Sequence, residues 1–539
     1  MRAFKALLLS LASAGALAKA ASDDDIRHAI TELQGLVAVQ KERIEALKHE
    51  ERRLADPVGL AKPSIYGDLP GTRAYTDQEN LNISMDHLWL LICGTLVMFM
   101  QAGFAMVESG SCRFKNVQNV LLKNLTDVCI GTMGWYAFGW SFAYSGPYRA
   151  DGYRSDGMAG GEQFFGHAFA TTRPDGQVEP TATSLNWFFQ WAFCSAAATI
   201  VSGGVAERVN FPGYLIFSFV MSSLIYPMIV SWTWGNGWIA QVSMDAGFID
   251  FAGSGIVHMT GGVGALVGAF IAGPRFGRWK RNDGTDQGPK ERIMTIPDAF
   301  FPHNMVLVVF GTFSLWFGWY GFNCGSTLAM DGIEAGFKAA HVAMTTTLSA
   351  ASGGLTVFCL RYVLIKKYDV GAFCNGILAG LVSITAPCSN IDTGSAVAVG
   401  LIGGLIFQGT SSLMKLVKID DPLDAFAIHG ACGMWGVMAA ALFDWGHAFS
   451  SVHGWNGFKC ITDSNGNCQA GLGGELIGVN LAEIVCISLW VAAWSTAIFV
   501  PLKLMGWLVA SPEEQEMGFD EAKHSPPKAY DYTPGGGAK

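Results

Sequence analysis

The chain has 539 residues, of which 15% are charged, 50% are hydrophobic, 66 are Gly and 17 are Trp. Soluble proteins carry about 25% charged residues and about 7% Gly, so this composition describes helices packed closely in lipid with aromatic rings at the interfaces. It excludes a soluble enzyme and a disordered chain, and a net charge of −9 without a long basic run excludes nucleic-acid binding.

Residues 1–20 read as a secretory signal peptide. Arg2 and Lys5 form a basic start, Ala6 to Leu17 an apolar stretch too short to span, and Ala16, Ala18 and Ala20 supply small residues near its end. Cleavage there leaves the mature N-terminus outside the cell or in a lumen; the alternative is a short first membrane helix. Residues 22–55 are polar and in heptad register. Ile26, Leu33, Leu47 and Leu54 form one stripe, with Gln40 filling the same position, and Ile30, Val37 and Ile44 form the other. That pattern predicts an extracellular coiled-coil helix capped by Ser22, with one amphipathic surface helix as the alternative. Its partner, a second copy or another chain, is open. Residues 56–85, with Pro57, Pro63, Pro70 and Gly71, read as a linker, and Asn82-Ile83-Ser84 is an N-glycosylation sequon on the same side.

Residues 86–505 form the membrane domain. Apolar segments long enough to cross about 30 Å of hydrocarbon recur near 87–109, 118–145, 184–206, 213–233, 254–273, 301–323, 336–364, 371–389, 394–416, 425–444 and 474–503. The fold class expected is an all-α membrane protein with eleven transmembrane helices. The odd-numbered connections carry fifteen Lys and Arg, including Arg275, Arg278, Lys280 and Arg281 in the longest. The others carry five, at Arg149, Arg154, Arg173, Lys338 and Lys459. By the positive-inside rule the N-terminus is outside and the C-terminus, with the 506–539 tail, is cytoplasmic. Cys460 and Cys468 lie in a hydrophilic outer loop, where they suit a disulfide or stand as free thiols.

A faint repeat runs through the domain. Asp250 and His258, followed by Gly261, Gly262 and Gly264, echo Asp424 and His429, followed by Gly430, Gly433 and Gly436. Each pair closes a block of five spans, an odd number, so the two blocks are inverted and the pathway is expected where they meet. Ionisable groups in lipid cost at least about 2.5–3.5 kcal/mol each and are functional candidates by default. Symmetric placement would bring the His258 and His429 imidazoles together at the centre, to pass a proton or stabilise a small polar molecule. The alternative is two separately satisfied core histidines. No third ligand sits at metal spacing near either, so neither metal nor cofactor is expected. Asp250 reads both as a carboxylate orienting groups beside an incoming cation and as a helix N-cap. Trp232, Trp234, Phe189, Phe193, Trp319 and Phe322, with Ser326, cluster at the outer side, either as interfacial anchors or as a cation–π vestibule.

Several long motifs, in order over about residues 86–525, resemble the ammonium transporter/Rhesus family. They are Met100-Gln101-Ala102-Gly103-Phe104-Ala105-Met106 with Glu108-Ser109-Gly110 and Lys115-Asn116, and Ser202-Gly203-Gly204-Val205-Ala206-Glu207-Arg208. Asp250-Phe251-Ala252-Gly253, Gly318-Trp319-Tyr320-Gly321-Phe322-Asn323 and Asp424 through His429-Gly430 complete the match. The first motif resembles the plant-type branch. The resemblance implies a homotrimeric, channel-like transporter of ammonium or ammonia, not an enzyme, with one pore per subunit. It implies recruitment at Trp234 and Ser326, Phe189 and Trp319 beside the pore, and a gate of Phe193 and Phe322. Asp250 matches the essential carboxylate, and His258 with His429 the pore pair. Competing readings are a neutral ammonia channel and an ammonium sensor on the same fold. The signal peptide and coiled coil depart from the family pattern. In the tail, Ala522 stands where the plant-type branch has a phosphorylatable Thr, so control by phosphorylation there is not expected.

Overall fold

A computed structural model describes residues 77–529 apart from 150–151, 173–177, 180, 243–246, 282, 447, 450–472 and 528. The expected signal peptide, the coiled coil, most of the linker and the Cys460–Cys468 pair lie outside the described residues.

The long helices are α1 (Asp77–Ser111), α2 (117–144), α3 (Thr183–Val205), α4 (Phe211–Trp232), α5 (Ser254–Ala272) and α6 (Met305–Gly325). They continue as α7 (Ile333–Ile365), α8 (Val370–Thr385), α9 (Thr393–Leu416), α10 (Phe426–Leu442) and α11 (Gly473–Leu504). A two-stranded ribbon, β1 (Thr171–Thr172) against β2 (Val178–Glu179), decorates the connection before α3. Among the described residues, eight of these helices are long and apolar enough to cross a membrane. Helices α8 and α10 are shorter but apolar, and α2 holds Lys123 and Asp127 fully buried.

Boundaries follow the expected segments closely except at α1. The described part of that helix reaches back to Asp77, inside the stretch expected to be linker, and carries Asp77 and Glu79. Asn82 therefore lies on a helix, with its Oδ1 accepting a hydrogen bond from Gln78 Nε2 at 2.7 Å. Side-chain caps start other helices: Asn304 accepts from Leu307 N at 3.1 Å, Asp369 from Ala372 N at 3.0 Å and Asp392 from Ser395 N at 2.8 Å.

Helix α1 lies along α6, α7 along α8 and α9, and α3 against α1 and α5; α11 covers α5 and α10. Helices α5 and α10 meet at the centre, and each opens on a π turn that carries its histidine: Ser254–Met259 and Phe426–Ala431. Their backbones touch. A Cβ on Gly262 would overlap the Gly430 backbone, and one on Gly433 would stand 2.5 Å from the Ser254 carbonyl. Glycine at both positions is what lets the two imidazoles reach each other.

Candidate functional site

The rings expected at the pore form one column. Trp234 meets Phe193 edge-to-face at 6.0 Å between centroids, and Phe193 lies 4.1 Å from Phe322. Phe322 stacks 5.2 Å from His258, His258 5.2 Å from His429, and His429 faces Phe104 at 6.2 Å. Phe189 backs Phe193 at 4.9 Å, and Trp319 stacks on His258 at 4.9 Å. Phe189, Trp319, Phe322 and His258 are wholly buried. Trp232 does not join the column; it packs on Trp490 at 5.1 Å and Trp238 at 6.1 Å, an anchor on the α11 side.

The two Nδ1 atoms of His258 and His429 stand 3.2 Å apart. One proton occupies that gap, so one ring donates and the other accepts, and the donor's Nε2 is left as an acceptor. His258 Nε2 has no hydrogen-bond partner among the described residues. Trp319 holds its face against His258 because its Nε1 donates to Thr385 Oγ1 at 2.9 Å. The structure thus brings the two imidazoles together, as one polar pair within the column of rings.

At the Trp234 mouth, Ser326 Oγ donates to the Phe322 carbonyl at 2.9 Å, which leaves its lone pairs free to accept. Trp234 Nε1 donates to the Asp250 carbonyl at 3.0 Å. The Asp250 carboxylate accepts four backbone N–H groups: Gly253 and Ser254 on Oδ1 at 3.0 and 2.7 Å, Gly255 and Ile256 on Oδ2, both at 2.9 Å. It caps α5 as one of the two sequence readings held. It therefore shapes the mouth through the backbone it fixes. Asn480 of α11 locks the preceding residue, exchanging hydrogen bonds with Ile249 N and O at 3.1 Å.

The counterpart of Asp250 in the second half is Asp421, which corrects the pairing of Asp250 with Asp424. Asp250 precedes His258, and Asp421 precedes His429, by the same eight positions. Asp421 Oδ2 accepts from Phe426 N at 2.8 Å, at the start of α10. Asp424 instead adopts a left-handed φ of 55° and binds outward, to Ser411 Oγ at 2.7 Å and Lys415 Nζ at 3.6 Å. Burial, then repulsion from Asp424, pushes the Asp421 carboxyl up to about 6.

Behind this mouth lies an ionic frame that the sequence reading passed over. Glu207 binds Arg113 and Arg275, each guanidinium at 2.8 Å, and Arg275 also holds Asp420 at 2.8 Å. Burial alone would push Glu207 up, but Arg275 and Arg113 outweigh it and hold the carboxyl down to about 2. The same contest leaves Asp420 well below the usual carboxylate range. The tail docks against this face of its own chain. Phe519 N donates to Asn116 Oδ1 at 2.9 Å, and the Asp520 carboxylate accepts from Gln118 N and Asn119 N, both at 3.0 Å. A second buried cluster joins Glu108 to Ser202 Oγ at 2.8 Å and Asp127 to Tyr214, with Lys123 Nζ 5.4 Å above the Tyr214 ring. Charged letters inside apolar spans are the available signal for Glu108, Lys123 and Asp127. Among the described residues no group of His, Cys, Asp and Glu could hold a metal ion.

The Ammonium Transporter Family pattern matches residues 88–530. "Ammonium transporter Amt2" of Archaeoglobus fulgidus is 37% identical over 459 residues, covering 84% of this chain and 90% of its own length. "Ammonium transporter 1 member 1" of Arabidopsis thaliana is 36% identical over 433 residues, covering 78% and 80%. Among solved structures, one named "Sensor Amt Protein" superposes with a TM-score of 0.68 at 31% identity, covering 83% of this chain and 99% of its own. Saccharomyces cerevisiae Mep2 superposes with 0.64 at 25% identity, covering 81% and 90%.

Proposed function

Given that this chain belongs to the ammonium transporter family and is not an enzyme, we propose that it moves ammonium across a membrane by a divided route. The ion is recruited at Trp234, Ser326 and the backbone that Asp250 fixes. It loses a proton at the Phe193–Phe322 gate, and ammonia passes the His258–His429 pair while the proton follows along the imidazoles. The observation that carries this is the column of rings closed above and below by apolar groups, with one imidazole pair as its polar step. An isolated ammonium in such a tube would cost tens of kcal/mol in the Born limit, roughly, whereas ammonia is neutral. Potassium has no proton to give up and is rejected on the same ground.

The architecture that goes with this reading counts α2, α8 and α10 as crossings, giving eleven helices. Two inverted blocks of five are followed by α11, with the N-terminus outside and the tail in the cytoplasm. Three copies assemble in the cell membrane, each with its own pore. Exposed apolar side chains such as Leu88, Ile92, Phe99, Phe310 and Phe317 on α1 and α6 suit contact with lipid and neighbouring copies. A signal peptide, an extracellular coiled coil and a Cys460–Cys468 disulfide belong to the same outside-facing N-terminal and loop arrangement.

The test is voltage-clamp current in cells expressing the full chain, pulsed with ammonium and then potassium at fixed pH. A saturable inward current for ammonium alone supports the divided route. Cytosolic alkalinisation without current replaces it with a neutral ammonia channel. The likeness to the structure named as a sensor favours one second reading, an ammonium sensor on this fold. Silence in both assays with protein at the surface would put that reading first.

A further inference from the structure

At the start of α10, on the side where the tail docks, lies a cavity of about 160 Å³. Val107, Val308 and Phe407 form part of its apolar wall, and Asp421, Asp424 and Lys415 part of its polar one. Most charges there are already matched. Asp424 holds Ser411 and Lys415, Arg361 holds Asp369 at 2.9 Å, and Arg275 holds Asp420 and Glu207. Arg278 stands 3.5 Å from Asp420. Behind Asp421, Arg208 donates to the carbonyls of Ala206, Gly273 and Asp420.

Asp421 differs. Its side chain is more than nine-tenths buried, its Oδ2 caps α10, and its Oδ1 has no hydrogen-bond partner among the described residues. Capping explains one oxygen and leaves the other buried without a partner among the described residues, on a residue that lines the cavity. The eight-residue spacing to His429 repeats that of Asp250 to His258. On the far side, however, both oxygens of Asp250 are fully engaged by the backbone.

We propose that Asp421 forms an inner ammonium site. Ammonia emerging past His429 takes a proton from the Asp421 carboxyl, and the ammonium formed is held against the freed carboxylate before it leaves. A nitrogen–hydrogen bond forms as the carboxyl oxygen–hydrogen bond breaks, and the carboxylate then regains the proton relayed along the imidazole pair. A carboxyl raised by burial into the neutral range is suited to both halves of that exchange. This assignment rests on the transport reading above.

The experiment measures half-saturating ammonium from each face separately, in oriented membranes carrying the full chain. Asp421→Asn should raise the tail-side value relative to the Trp234-side value by about tenfold, the loss of one charge-assisted contact. Asp421→Glu should restore most of it. An unchanged ratio in Asp421→Asn, with protein in the membrane, overturns the site. Should that variant fail to accumulate, crystals of the unaltered chain soaked in thallium(I) decide: density against the Asp421 carboxylate supports the site, and density at the Trp234 mouth alone overturns it. No ammonium transport by the unaltered chain from either face would instead defeat the transport reading itself.

Discussion

Asp250 and Asp421 occupy matching positions ahead of the two pore imidazoles, yet the protein uses them differently. Asp250 is enclosed by four backbone N–H groups, and its side chain has become part of the fold. Asp421 makes one such bond and keeps an oxygen free beside a cavity. On the proposed route the Trp234 mouth attracts a cation with ring faces and the Ser326 hydroxyl, weak contacts that let it go. The tail-side mouth sits in a frame of matched charges in which, among the described residues, Asp421 Oδ1 has no partner. Equivalent sequence positions in two halves of a chain thus need not share a role; the number of backbone donors converging on each decides it.

The largest effect expected on this contrast is in stability. Asp250→Ala strands four buried N–H groups at the start of α5, a loss of roughly 4 kcal/mol or more. Asp421→Ala strands one and should cost about 1 kcal/mol. Thermal-unfolding midpoints of the purified variants compare them directly. Equal shifts would mean that the two caps carry the same weight and would dissolve the distinction.

Next comes the ionic frame behind the tail-side mouth. Glu207→Gln leaves Arg113 and Arg275 without their buried carboxylate. The depressed Glu207, at about 2 against an ordinary 4.5, contributes stability that is complete above pH 4.5 and lost as pH falls toward 2. That difference corresponds to about 3 kcal/mol. The midpoint gap between the unaltered chain and the variant should therefore be full at pH 6 and close between 4.5 and about 2. A gap independent of pH would refute the assignment.

Between the two mouths stands the imidazole pair, common to both directions of flow. His258→Ala removes the 3.2 Å contact with His429. Ammonium current should fall by about 100-fold, equally inward and outward, and water filling the vacated ring volume should let potassium begin to pass. Unchanged current and unchanged potassium exclusion would remove the pair from the mechanism.

The contrast between the mouths also explains what the sequence disclosed. Long apolar runs disclosed the spans, since lipid demands them, and glycine-flanked histidines disclosed where α5 and α10 meet, since glycine there lets the two backbones touch. The helical character of residues 77–85 was hidden because a polar segment outside the apolar run looks like linker. Asp421 was hidden behind Asp424: the two differ by whether a carboxylate folds back onto α10 or turns outward, and a left-handed φ of 55° at Asp424 settles that. The Glu207–Arg275–Asp420 frame joins three separate connections, a proximity that no local pattern encodes.

The smallest expected effect belongs to the Trp234 mouth, and it tests whether recruitment there is by ring face or by backbone. Trp234 does two things: its ring closes over Phe193, and its Nε1 holds the Asp250 carbonyl at 3.0 Å. Trp234→Leu removes both, and the loss of one cation–π contact should raise half-saturating ammonium from that side about fivefold. Trp234→Phe keeps a ring and removes only the hydrogen bond. If the ring recruits the ion, the phenylalanine variant should stay within about twofold of the unaltered chain. If it falls as far as the leucine variant, the hydrogen bond to the Asp250 carbonyl is what matters. The mouth would then work by the shape of its backbone, with Asp250 setting that shape from below and Trp234 from above. In either case the tail-side half-saturation should not move, because Trp234 is not among the residues that line the cavity beside Asp421. Movement there would mean that the two mouths are coupled through the ring column rather than built as separate sites.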